Sequence, residues 1–153
     1  MALPRPHSRS LRKGRCSAPG QIYLITAVTH NRKPLFHDFD RARVAVLALV
    51  NPAIMEQADT LAYVVMPDHF HWLVQLKGAS LSRVVQCVKS KSGYEVNRLS
   101  QRSGKVWQHG FHDHALRKEE DVKAVARYVV ANPLRAGLVE SIGDYPFWNA
   151  VWL

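Results

Sequence analysis

Two pairs of histidines have a spacing that could support metal chemistry. His69 and His71 lie within the apolar stretch VVMPDHFHWLVQL, and His112 and His114 lie within FHDHALR. Because side chains alternate between the two faces of a strand, both members of a pair would point to one face, where two neutral imidazoles can share a divalent cation. The alternative is that each histidine packs in the core or meets a carboxylate. Spacing alone does not rank one pair above the other.

A third ligand for such a cation could come from the stretch KEEDVKAVARYVVANP. Tyr128 and Asn132 are four residues apart in it, so a helix would place them on one side, at the margin of its apolar stripe. A tyrosine beside a core stripe is ordinarily a half-buried packing residue, and an asparagine before proline commonly ends a helix. The residues alone leave both the structural and the functional interpretation open.

The elements that would position these residues follow from the periodicity of the apolar side chains. QIYLITAVT predicts a first strand, TLAYVVM and HFHWLVQL predict two strands separated by Pro67 and Asp68, and FHDHALR predicts a shorter extended segment. The apolar pattern of residues 39–57 predicts a helix, which Pro52 must kink or end. Ser80 can cap the start of a second helix.

The last predicted helix runs through KEEDVKAVARYVVANP, with acidic residues in its first turn. It should stop at Asn132, because Pro133 disfavours helical geometry in the residue before it. The resulting order is strand, helix, strand, strand, helix, strand, helix. This order predicts an α+β fold, a ferredoxin-like antiparallel sheet built on the split β-α-β pattern, with one added C-terminal helix.

The charge balance predicts a polyanionic partner. Lys and Arg total 21 against 12 Asp and Glu, which gives a net charge of +9 and most simply indicates nucleic acid, although a basic protein need not bind it. We expect a basic flexible arm at residues 1–20 and a single domain at residues 21–153. The side chains predicted to contact phosphates, each of which could equally be a solvated surface charge, are Arg12, Lys13 and Arg15 in the arm and Arg83, Lys89, Lys91 and Arg98 on the second helix.

The sequence favours a cytoplasmic, nucleoid-associated location without a membrane partner. No apolar run approaches the ~20 residues of a membrane span, and the N-terminus lacks the apolar segment of a signal peptide. Cys16 and Cys87 are the two cysteines and have no CxxC spacing, so neither a disulfide framework nor a thiolate zinc site is expected.

Three stretches together resemble the single-tyrosine HUH transposases. YVVMPDHFHWLVQL resembles their signature of two histidines flanking a bulky hydrophobic residue. GFHDHALRKEEDVKAVARYVVANPLRAGLV resembles the second block of the superfamily, in the form found in REP-associated tyrosine transposases, and PGQIYLITAVTHNRKPLF is similar to their opening strand and loop. The resemblance runs from about Pro19 to about Trp148, and the pairing of MPDHxH with YxxxNPxRAGLV is its specific part.

The resemblance implies a role for particular residues. It implies that His69 and His71 bind a divalent metal, Mg²⁺ or Mn²⁺, and that Tyr128 on the added helix is the nucleophile. Asn132 occupies the place of a polar metal ligand, often glutamine in relatives. His114 matches a histidine of the family pattern in a supporting position, whereas His112 stands where an aromatic residue is usual. The resemblance therefore favours His69 and His71 as the metal-binding pair.

The function implied is that of a DNA transposase and endonuclease that cleaves and rejoins single-stranded DNA through a 5′-phosphotyrosine. Its partners would be single-stranded or hairpin DNA, such as repetitive extragenic palindromes, with no nucleotide cofactor. Whether the chain acts as a monomer or a homodimer stays open. The alternative is a non-catalytic DNA-hairpin-binding protein that retains the fold.

Overall fold

A computed structural model of the chain describes residues 19–117 and 120–152. Most of the predicted basic arm, including Arg12, Lys13 and Arg15, lies outside the described residues, and the division into an arm and one domain stays a prediction. Within the described ranges, no helix combines the length and the apolar character needed to cross a membrane.

A five-stranded antiparallel sheet forms the centre of the fold, with the strand order β4-β1-β3-β2-β5. The part of this order that reads β4-β1-β3-β2 is that of a ferredoxin-like sheet, which confirms the predicted fold class. The strands are β1 Ile22–Val28, β2 Ala58–Met66, β3 His69–Leu76, β4 His112–Ala115 and β5 Trp148–Ala150.

Within the part of the chain that the structure describes, five α-helices complete the fold, and the longer ones begin at capping side chains. The side chains of Asp38, Ser80 and Asp121 accept hydrogen bonds from backbone N–H groups of the first turns of α1, α3 and α4, respectively. The Ser80 cap was predicted and is confirmed. The helices are α1 Phe39–Leu49, α2 Pro52–Met55, α3 Leu81–Ser100, α4 Val122–Val130 and α5 Asn132–Arg135, with short 3-10 turns at His30–Arg32, Leu35–His37 and Ile142–Asp144.

The helices cover both faces of the sheet. On one face, Phe70 and Trp72 of β3 pack in one apolar cluster with buried residues of α1 and α3. On the other face, Leu73 packs in a second cluster with Ala126 and Val129 of α4. Since alternate residues of a strand point to opposite faces, this arrangement places α4 on the face toward which His69 and His71 point.

The structure departs from the predicted elements at three short segments. Pro52 does end the first helix, but the chain turns at once into α2, where Asn51 caps the new helix. The last helix begins at Val122, later than predicted, although Lys118 and Glu119 of the predicted start lie outside the described residues. The fifth strand was not predicted, because three residues are too few for a periodic pattern.

The prediction that helical geometry stops at Asn132 is only partly right. α4 ends at Val130, and Asn132 then begins α5 with Pro133 in its first turn. Proline is well accommodated there, because the N–H that it lacks has no partner within a first helical turn. The two helices are joined at Ala131, whose backbone stays in the right-handed helical region.

Candidate active site

His69 and His71 lie side by side on the face of the sheet that α4 covers. Their ring centroids are 4.9 Å apart with an interplanar angle of 79°. The prediction that they share one face is confirmed by the strand register, in which His71 is opposite Thr26 of β1 and Val64 of β2. The two residues are thus neighbours on a rigid central strand.

The Nδ1 atom of each imidazole is held by a hydrogen bond. His69 Nδ1 lies 2.7 Å from Asp68 Oδ1, and His71 Nδ1 lies 2.7 Å from Thr26 Oγ1. Because an ionised carboxylate only accepts hydrogen bonds, His69 donates to Asp68 from Nδ1, so Nε2 is the ring nitrogen that could bind a metal. This orientation of a histidine by a carboxylate is common behind metal-binding imidazoles.

Burial keeps His71 neutral. Burial, followed by the charges of His69, Arg135 and His112, lowers the pKa of His71 from 6.5 to about 3. The imidazole is therefore unprotonated at neutral pH, which is the form that binds metals.

Asp68 keeps its charge although it is partly buried. Burial opposes its ionisation, but hydrogen bonds and charges from His69 and Arg32 outweigh this effect and lower the pKa of the carboxyl. Arg32 Nη1 donates to Asp68 Oδ2 over 3.2 Å. The ionised carboxylate thus stays available to accept from His69.

The histidine pair fits a divalent cation as two ligands of an incomplete set. Among the described residues, no group of three or more His, Cys, Asp and Glu is arranged to hold a metal ion. A cation here would need oxygen from elsewhere, such as Asn132, water or substrate. Asn132 donates its Nδ2 to the carbonyl of Val129 over 3.4 Å, so its Oδ1 is the atom that could serve as a ligand.

Tyr128 is positioned by α4, which packs on the sheet of its own chain. Ala126, Val129 and Val130 form the buried side of this helix, and Tyr128 itself is half-buried. The guanidinium of Arg135 lies 3.8 Å from the centroid of the Tyr128 ring, and its Nη2 donates to the Tyr128 carbonyl over 2.7 Å.

The second histidine pair has a different environment. His112 is opposite Thr26, so it projects from the same face as His71, and its charge contributes to the lowered pKa of His71. His114 Nε2 lies 3.0 Å from Glu120 Oε1, and the same oxygen accepts from the backbone N–H of Arg117. His114 is therefore tied to the connection that leads into α4.

The four basic residues predicted on the second helix have different surroundings. They belong to α3, which packs on the sheet face opposite the histidine pair. Arg83 and Lys89 line a groove of about 490 Å³, whereas Lys91 lines a separate groove of about 440 Å³. Lys89 donates to the carbonyls of Gln108 and Gly110, each over 2.8 Å.

Arg98, the last of the four, donates to Glu95 over 2.6 Å at an exposed position. Trp72 and Trp107 are buried and donate to Thr60 and Ser92, respectively, so both are core residues. The predicted role of the four basic residues in binding DNA stays a prediction.

The sequence matches a known family over most of its length. Residues 18–132 match the family described as Transposase IS200 like. The chain belongs to this family. This confirms the family resemblance seen in the sequence, and the matched range includes His69 and His71 as well as Tyr128 and Asn132.

Two curated relatives of this IS200-like chain are similar to parts of it. One, provisionally named a REP-associated tyrosine transposase, is from Haemophilus influenzae and is 28% identical over 100 residues, which cover 58% of this chain and 57% of the relative. The other, a REP-associated tyrosine transposase from Escherichia coli K12, is 27% identical over 88 residues, which cover 56% of this chain and 50% of the relative. The chain thus matches about half the length of these relatives.

Two solved structures share the fold. A REP-associated tyrosine transposase bound to a REP hairpin superposes with a TM-score of 0.68 and 24% identity, covering 88% of this chain and 79% of that chain. A crystal structure of a provisionally named transposase from Deinococcus radiodurans gives a TM-score of 0.53 and 17% identity, covering 78% of this chain and 95% of that chain.

Three residues of this IS200-like site were not identified from the sequence. Asp68 precedes His69 directly, so a carboxylate next to a candidate ligand was a signal that could have been used. Thr26 carried no such signal, because only strand register places it against His71. Arg135 lies seven residues after Tyr128, in α5, a helix that was not predicted because the preceding helix was expected to stop at Asn132.

Proposed function

We propose that this chain is a metal-dependent transposase that cleaves and rejoins single-stranded DNA, with Tyr128 as its nucleophile. The observation that carries the proposal is the pair of oriented imidazoles of His69 and His71, of which His71 is kept neutral by burial. The helix that bears Tyr128 packs on the same sheet face. Family membership supports the transposase class.

His69 and His71 would hold the cation, with the amide oxygen of Asn132 as a third ligand. Mg²⁺ or Mn²⁺ bound there would supply positive charge to a non-bridging phosphate oxygen as negative charge develops at phosphorus. The Asp68 carboxylate and the Thr26 hydroxyl would keep the two rings in the orientation that presents Nε2.

Tyr128 would attack the phosphodiester directly. A bond forms between its phenolic oxygen and phosphorus, the bond from phosphorus to the 3′ oxygen breaks, and the phenolic proton ends on the departing 3′ hydroxyl. The product is a 5′-phosphotyrosine. Attack by another 3′ hydroxyl would reverse the step and join a new strand, so the cycle needs no nucleotide cofactor.

The substrate we propose is single-stranded DNA beside a palindromic hairpin. The similar structure is of a transposase bound to a REP hairpin, which suggests repetitive extragenic palindromes for this chain as well. The net charge of +9 suits a polyanion, and a nucleoid-associated location would follow from the substrate. Because α4 packs on its own sheet, one chain could complete the site, whether it acts as a monomer or within a homodimer.

The decisive experiment is detection of a covalent protein–DNA adduct. The protein is incubated with hairpin-bearing single-stranded DNA and Mg²⁺ or Mn²⁺, and the adduct is resolved on a denaturing gel. Tyr128→Phe should form none, whereas Tyr94→Phe, which alters an exposed tyrosine of α3, should form it normally. An adduct in Tyr128→Phe would disprove the nucleophile assignment.

The metal ligands are tested in the same assay. His69→Ala and His71→Ala should abolish cleavage and largely retain hairpin binding, which a gel-shift measurement without metal would record. His109→Ala is the matched control at an exposed histidine. Tight hairpin binding by the parent chain without any adduct would instead identify a non-catalytic hairpin-binding protein.

A further inference from the structure

We propose that Arg135 is a positioning residue that holds the Tyr128 ring and places a positive charge beside it. The proposal rests on the proposed function of Tyr128. Arg135 is neither one of the candidate metal ligands nor the candidate nucleophile. Its basis is a pair of contacts from one guanidinium group to one tyrosine.

The two contacts restrain Tyr128 in different ways. The guanidinium lies over the ring, 3.8 Å from its centroid, which is the arrangement of a cation–π pair. Its Nη2 also donates to the backbone carbonyl of the same tyrosine over 2.7 Å. One group therefore binds both the side chain and the main chain of Tyr128, and the stacking restricts rotation of the ring.

The charge of Arg135 lies beside the attacking group, because the guanidinium stacks on the Tyr128 ring. A phosphate attacked by Tyr128 must approach the phenolic oxygen of this ring. A guanidinium beside the ring would stabilise the negative charge that accumulates as the phenol attacks.

The fold holds Arg135 in this place through the short helix α5. Asn132 begins the helix with Pro133 in its first turn, and Gly137 follows the C-cap residue Ala136 with a φ of 73°. Leu138 N–H donates to the Pro133 carbonyl and Gly137 N–H donates to the Leu134 carbonyl, the two bonds of a Schellman motif. α5 is thereby fixed at both ends, and the backbone that carries Arg135 has little freedom to move away from Tyr128.

Lysine should be a poor substitute at this position. It would keep the charge, but its ammonium has no planar surface to stack on a ring and no rigid fork of donors. Alanine would remove both the charge and the stacking. Comparing the two variants therefore separates the contribution of charge from that of ring positioning.

The test is single-turnover cleavage of a saturating hairpin-bearing strand by Arg135→Ala and Arg135→Lys. We expect Arg135→Ala to form the adduct about 100-fold more slowly. Its Kd for the hairpin should stay within about twofold, as expected when an interaction made mainly in the transition state is removed. Arg135→Lys should recover part of the rate. Free guanidinium ion, added below denaturing concentrations, should restore part of the rate of Arg135→Ala and none of the rate of Tyr128→Phe.

A second measurement does not depend on cleavage. NMR spectra are recorded on the intact protein with labelled tyrosine, and the Tyr128 ring signals are assigned by their loss in Tyr128→Phe. These signals should shift in Arg135→Ala. Arg127→Ala is the control, since Arg127 is an exposed arginine of α4 that pairs with Asp121; it should leave both the rate and the Tyr128 signals unchanged.

The outcomes separate the two proposals. If Arg135→Ala cleaves at the parent rate, or if its defect lies wholly in the Kd for DNA, the role of Arg135 is disproved and the proposed function stands. If the parent chain forms no adduct with hairpin DNA, the proposed function fails and the role of Arg135 in the reaction fails with it. Unchanged Tyr128 signals in Arg135→Ala would also overturn the positioning role.

Discussion

The neutral, buried state of His71 should make the metal-free protein lose stability in mild acid. The unfolded chain binds a proton at His71 as the pH falls through about 6.5, whereas the folded chain binds it only near a pKa of about 3. Between these values the unfolded state carries more protons than the folded state. Stability from this group is therefore complete above about pH 7 and declines as the pH falls toward 3.

The size of the effect follows from the difference between the two pKa values, 6.5 and about 3. Each pKa unit corresponds to about 1.4 kcal/mol, so the limiting loss at low pH is about 5 kcal/mol. At about pH 5, where the unfolded histidine is almost fully protonated, the loss from His71 alone is about 2 kcal/mol. This is a large part of the ~5–15 kcal/mol by which domains are commonly stable.

The assay is urea denaturation at about pH 7.5 and about pH 5, with a chelator present so that bound metal does not add to stability. His71→Asn removes the titrating group and keeps an amide that can bond Thr26. Its loss of stability between the two pH values should be smaller than that of the parent chain by about 2 kcal/mol. His109→Asn, at an exposed position, should behave like the parent. Equal losses in His71→Asn and the parent would refute the reasoning.

Three further substitutions test the surroundings of the site. Asp68→Asn removes the charge that orients His69 and should weaken Mn²⁺ binding, measured by calorimetry, about tenfold; an unchanged affinity would contradict this role. Thr26→Val removes the bonding partner of the His71 ring and should lower the free energy of unfolding by about 1–3 kcal/mol, so a neutral result in urea would count against a structural role for this bond. Gly137→Ala places a Cβ at a φ of 73° and should cost about 1 kcal/mol through backbone strain alone, because nothing lies within 4 Å of the new atom. Gly143→Ala, where φ is not in the left-handed region, should cost less, and equal costs would exclude backbone strain as the cause.

The order of the main elements was predictable because it depends on local patterns. The strands around His69 and His71 and the helix after Ser80 follow from alternation and helical periodicity, and both were confirmed. The short elements were not predictable in the same way. β5 has only three residues, and its pairing with β2 stabilises it as a strand.

The face that each helix covers could not be predicted from its own pattern. The apolar stripe of α3 identifies its buried side but does not say against which face of the sheet it packs. The structure places α3 opposite the histidine pair, with Arg83 and Lys89 in one groove and Lys91 in another. Helix periodicity is a property of one segment, whereas packing requires the other elements to be present.

The arrangement of His69 and His71 depends both on the local sequence pattern and on the tertiary structure. That His69 and His71 share a face follows from strand geometry, which the backbone imposes on any sequence in that conformation, and family resemblance implied a chemical role for them. Asp68, which orients His69, is its neighbour in the sequence. The group that orients His71 depended on tertiary structure, because Thr26 is 45 residues from His71 in the chain and reaches it only through the register of β1 against β3. Arg135 contacts Tyr128 because α5 follows directly after α4. Register and packing arise from contacts between distant segments, so a local pattern could place the two histidines on one face but could not identify Thr26 and Arg135 as partners of His71 and Tyr128.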